Sequence, residues 1–233
     1  MNLSPVRAAH ERLLATLATM TDEQAGEPSR LAGWTRAMVA THIARNAESN
    51  ARMVDAALRG ERRAQYPGGE EERSRGVEAG RGRTAAELLA DNRAMNDLWL
   101  SVFERVTDWT LEVQAGVGPR PLSQRVESRL LEVEVHHADL GLAYGFRDWP
   151  VEFAEHQVAR RADWIRRAGD GHAGRWRVGP HTIDLGPGPE GAVDAEPQAL
   201  LAWLMGRETA LSAGLVVTGD ERVASLPEEF PFP

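Results

Sequence analysis

Cysteine is absent from all 233 residues. The chain therefore has no disulfide, no thiol nucleophile, no thiolate metal ligand and no redox pair, and any sulfur chemistry needs a thiol from outside. Also missing is a run of the roughly 18 apolar residues that a membrane span requires, so no membrane partner is expected. There is no basic excess. The net charge is −8 and the abundant arginines alternate with acids, which argues against a nucleic-acid partner. The opening residues, MNLSPVRAAHERLL, are broken by Arg7, His10, Glu11 and Arg12 and lack the apolar stretch of a secretory leader. A cytoplasmic location is expected. Internal repeats and low-complexity tracts are missing too.

What is present is an ordinary globular composition, 42% hydrophobic and 27% charged, on a chain long enough for one large domain or two small ones. The first two-thirds reads as helices. Ser4-Pro5 suits a helix start, followed by Val6, Ala9, Leu13, Leu14 and Leu17 at helical spacing. Thr35 is placed to cap a second helix running to about Leu58, with Gly60 as a stop. Thr84 and Glu87 form a capping box for a third helix to about Val106. A fourth is expected from about Leu122 to Ala143, ending near Gly145. Between the second and third helices, RGERRAQYPGGEEERSRGVEAGRGR is too long for a tight turn, and its arginines, Arg83 among them, could meet an anionic ligand.

The composition shifts after GFRDWP. One more helix is expected over Val151–Ala168, then short strands at RWRVG, HTIDL and GAVDA, a helix at EPQALLAWLMGRE and a strand in LSAGLVVTGD. The expected class is α+β: a four-helix bundle over residues 1–148, then a small α/β domain over 149–233.

One stretch spends ionisable groups freely: SRLLEVEVHHADLGLAYG, Ser128 to Gly145. On a helix, Glu132 and His136 share a face, so their heads can converge on one ion, and Asp139 is placed to bond the His136 imidazole from behind. Imidazole and carboxylate suit zinc, and equally nickel, cobalt or iron. A third ligand must come from another helix. His42, between Val39 and Ile43, is the leading candidate, and Asn46 one turn on would face the same cavity. Glu134 and His137 form an alternative inward pair, and whichever pair turns inward is expected to leave the other largely outside. Trp34, Trp99 and Trp109 read as core residues, and His10, His156, His172 and His181 show no convergent spacing.

Three segments then match a known pattern in order. LAGWTRAMVATHIARNAE resembles the N-terminal signature of the mycothiol-dependent maleylpyruvate isomerase family, within the DinB-like superfamily; RLLEVEVHHADLG resembles its second signature, and LLAWLMGRE a segment of its C-terminal domain. YPGG and GRGRTAAEL in the long loop also fit. The resemblance runs from about residue 5 to the end. It implies a DinB-like four-helix bundle followed by a small α/β domain, a metal triad of His42, Glu132 and His136, and a catalytic or substrate-binding role for Arg207. Asn46 and Arg83 are candidates for holding the thiol cofactor.

The cofactors implied are a divalent metal, zinc foremost, and mycothiol. The implied substrate is maleylpyruvate or a similar dicarboxylate, isomerised from cis to trans through reversible thiolate addition, by a monomer or small homo-oligomer. Two alternatives stand beside this: a mycothiol S-transferase acting on another electrophile, and a noncatalytic module that binds a metal or small ligand.

Overall fold

The computed structural model describes residues 1–115, 118–169 and 172–230. The chain divides into two compact units, Met1–Gly145 and Phe146–Pro233. Its class is α+β.

The first unit runs α1 (Ser4–Thr19), α2 (Asp22–Gly26), α3 (Arg36–Leu58), α4 (Gly69–Glu78), α5 (Ala85–Phe103), an antiparallel hairpin of β1 (Glu112–Ala115) and β2 (Gly118–Pro121), and α6 (Leu122–Asp139). The long helices α1, α3, α5 and α6 form a four-helix bundle in which α1 and α3 each pack against both α5 and α6. Local chemistry starts these helices. The Thr35 hydroxyl accepts from the Met38 N–H at 3.3 Å, and Thr84 and Glu87 satisfy each other's backbone donors at the head of α5.

Several boundaries differ from expectation. At the head of α1, Leu3 rather than Ser4 occupies the cap position, and the Asn2 side chain accepts from the Ser4 N–H at 3.0 Å. Helix α5 ends at Phe103, and α6 stops at Asp139 because Gly141 turns left-handed at φ 66°. The long connection after α3 holds a helix, α4, that apolar periodicity does not show: Val77 is its buried residue, and Glu70, Glu71 and Glu72 favour its N-terminal turn. The hairpin is likewise outside the expectation from sequence; Val113 and Ala115 face inward from it.

The bundle interior is layered. One apolar cluster gathers Val6, Ala47, Val54, Trp99, Phe103 and Val126; a second gathers Leu13, Leu17, Val39, Ile43, Leu88 and Val133. Trp99 stacks on Phe103 with ring centroids 3.8 Å apart. Each long helix also contributes a buried polar side chain: His10 on α1, Asn46 on α3, Asn96 on α5 and Arg129 on α6.

The second unit runs α7 (Val151–Ala168), β3 (Arg175–Val178), β4 (His181–Asp184), β5 (Glu190–Asp194), α8 (Pro197–Leu204), the short α9 (Ala210–Ala213), β6 (Val216–Gly219) and the short α10 (Leu226–Glu229). Its sheet has the order β4-β3-β5-β6, with β3 and β5 parallel and the outer pairs antiparallel. Trp176, Val178, Ile183 and Val193 point into its core, and α7 packs on α8 and β4.

Candidate metal centre

Glu132 and His136 are four positions apart, so one helical turn of α6 stacks them, and α3 brings His42 across to meet them. Glu132 Oε2 lies 3.1 Å from His42 Nε2 and 3.5 Å from His136 Nε2. One ligand atom from each of the three residues lies within 4.8 Å of the others. Donors at bonds of about 2.0–2.2 Å from one tetrahedral ion stand roughly 3.4 Å apart. The Trp34 ring meets His42 edge-on, with centroids 5.7 Å apart.

Protons sharpen the picture. His136 Nδ1 lies 2.9 Å from Asp139 Oδ2, which fixes the proton of a neutral imidazole on Nδ1. That leaves Nε2, 3.5 Å from Glu132 Oε2, as the nitrogen that would face an ion held between them. Burial lowers the His42 pKa against the raising effect of its bond to Glu132, so its imidazole is neutral at pH 7. Burial would raise Glu132, but the bond with His42 and the Arg129 cation nearby hold it below the usual carboxylate range. The donor set is therefore a neutral imidazole from His42, an ionised carboxylate, and an imidazole whose tautomer Asp139 sets. These residues fit a divalent metal.

The match to known families agrees in extent with the bundle. Residues 6–141 match the family described as the mycothiol maleylpyruvate isomerase N-terminal domain. The chain belongs to this family. No curated protein sequence gives a significant match. Among solved structures, a crystal structure of the mycothiol-dependent maleylpyruvate isomerase superposes with a TM-score of 0.82 at 23% identity, covering 93% of this chain and 91% of that one. A histidine-to-alanine mutant of the mycothiol-dependent enzyme superposes at 0.81 and 22% identity, with the same coverage. At that identity the likeness establishes the fold.

Within this family member the other anticipated residues have definite places. Asn46 is buried, and its side-chain carbonyl accepts from Arg129 Nη1 at 3.0 Å. Arg83 pairs with Asp91 at 2.6 Å and donates to the Glu87 carbonyl at 3.2 Å; Arg45 pairs with the same aspartate. Arg207 lies in the second unit just past α8, where its Nη1 donates to the Met205 carbonyl at 3.2 Å, in a hollow it shares with Trp203, Thr209 and Ser212.

Two expectations need correction. Glu134 and His137 are not left outside: both are buried, on another face of α6. Arg12 and the Tyr144 hydroxyl bind Glu134, while His137 stacks on the Tyr144 ring and lies 2.7 Å from the Thr16 hydroxyl. His10 also has a place, as an acceptor for Arg129 at 3.2 Å. The signal for Arg129 was its position between Val126 and Val133 on one face of α6, an arginine where the apolar stripe should continue.

Proposed function

We propose that this chain is a zinc- and mycothiol-dependent cis–trans isomerase that converts maleylpyruvate to fumarylpyruvate. The observation that carries the reading is the convergence of His42 and His136 on one Glu132 oxygen, with Asp139 orienting His136. Family membership supports the thiol, and the likeness to crystal structures of a maleylpyruvate isomerase supports the reaction.

When bound, the metal supplies a Lewis-acid centre that favours the ionised form of a thiol at neutral pH. His42, Glu132 and His136 would supply three ligands, the number that catalytic zinc sites use when a position is kept for a reactant. The chain contains no cysteine of its own, so the nucleophile is the external thiol. Addition across the cis double bond leaves a single bond free to rotate, and elimination returns the thiol with the trans product. No atom is gained or lost. His42, Glu132 and His136 hold the centre, and Asp139 keeps the His136 tautomer. Arg207 is proposed to hold a substrate carboxylate or the enolate charge that builds during addition, for which a guanidinium fork is suited. Asn46 and Arg83 are proposed on the thiol side. No helix among the described residues is long and apolar enough to cross a membrane, in keeping with the proposal of a cytoplasmic enzyme.

The test is an account of the thiol. With metal-replete protein and maleylpyruvate in large excess over mycothiol, an isomerase converts all the substrate and leaves the free thiol undiminished. Consumption of one thiol per substrate would replace this reading with an S-transferase.

A further inference from the structure

Arg129 is 1% exposed, and no carboxylate among the described residues is in ion-pair contact with it. Its guanidinium is held by neutral acceptors instead. Nε donates to His10 Nε2 at 3.2 Å, Nη1 to the Ile43 carbonyl at 2.9 Å and to Asn46 Oδ1 at 3.0 Å, and Nη2 to Asn96 Oδ1 at 2.8 Å. These partners sit on α1, α3 and α5, so one side chain of α6 joins all four long helices. Burying a cation in this way is costly, and an apolar residue of similar volume would pack there without the penalty. Packing alone does not account for it.

Its position does. Arg129 lies one turn before Glu132 on α6, and its acceptors on α3 are the residue after His42 and one a turn further on. The α3–α6 crossing is thus pinned by the guanidinium one turn away from the His42–Glu132 pair. Its five donors form a rigid fork, so the two helices meet at a fixed height and rotation. We propose that Arg129 is a positioning residue for the metal centre, setting the spacing between His42 on α3 and the Glu132–His136 pair on α6. This rests on the metal reading given above.

The test uses the full chain stripped of metal and titrated with cobalt(II), followed by the visible absorption of the bound ion and by chelator competition. Arg129→Lys and Arg129→Met should bind cobalt about 10- to 100-fold more weakly, the range seen when partners behind metal ligands are lost. Their visible bands should also shift in position and intensity. Asn96→Leu, which removes one acceptor and keeps the cation, should shift them less and in the same direction. Tyr144→Phe serves as the structural control. It weakens the Glu134 cluster on another face of α6, and should lower the melting temperature while leaving the spectrum and affinity unchanged. A folded Arg129→Met protein with the wild-type spectrum and affinity overturns the proposal. If neither Arg129 variant folds, an unchanged spectrum and affinity in Asn96→Leu overturns it. Failure of the wild type to bind cobalt, or equal binding by His42→Ala, overturns the metal reading and the positioning role together.

Discussion

The imidazoles of His42 and His136 stand edge to face, with centroids 4.7 Å apart and planes at 85°. They come from helices that meet in the bundle, and both present Nε2 to one oxygen of Glu132. Removing any of the three should therefore remove the site.

His42→Ala, Glu132→Ala and His136→Ala should each strip most bound metal while leaving helical content largely intact. His137→Ala should not. Its ring lies about 100° around the helix from His136, stacked on Tyr144. It should cost stability and keep the metal. Metal analysis and circular dichroism on the same preparations check this, and metal loss in His137→Ala alone would reverse the assignment.

The distinction between these neighbours shows what local sequence carries. Thr35, Thr84 and the Glu132–His136 spacing are local devices, legible because caps and same-face pairs need only residues three or four apart. Arg129 showed in the sequence only as a break in an apolar stripe; its role was not legible, since its acceptors include His10, 119 positions away, and Ile43, 86 positions away. The burial of Glu134 was hidden for the same reason: Arg12, from α1, covers it. Helix α4 escaped because a helix polar almost all round leaves no apolar stripe.

Stability should fall on mild acidification. Burial lowers His10 to about 2 and His137 to about 3, from an ordinary value near 6.5. Above pH 6.5 both are neutral in the folded and unfolded chain. Below it the unfolded chain gains protons that the folded one refuses, and stability is lost progressively as pH falls towards the folded values. Each histidine should contribute a slope of about 1.4 kcal/mol per pH unit. Urea unfolding of His137→Gln between pH 6 and pH 4.5 should show a shallower slope than wild type; an equal slope would refute the contribution.

Gly80 should tolerate no side chain. A Cβ there would lie 2.2 Å from Thr41 Oγ1 and 2.5 Å from Thr41 Cβ. Gly80→Ala should cost about 1–3 kcal/mol by overpacking the turn between α4 and α5 against α3. In a Thr41→Gly background the same change should cost less. A double-mutant cycle with no coupling would show that the turn relieves the clash elsewhere.

Arg207→Ala should keep its metal and lose turnover on the order of 100- to 1,000-fold, the loss expected for one transition-state donor. Arg207→Lys should recover only part of it, because a point charge does not reproduce the fork. If the guanidinium serves only to hold the Met205 carbonyl beyond α8, Arg207→Ala would instead lower stability by about 1 kcal/mol or less and leave kinetics alone.

The most direct measurement is a zinc titration of metal-free protein under turnover, following formation of the trans product from maleylpyruvate with and without mycothiol. The account predicts a rate that rises with added zinc, breaks at one equivalent per chain, requires mycothiol, and stays at background in Glu132→Gln. A rate that is independent of zinc or of the thiol, or that persists in Glu132→Gln, would contradict it.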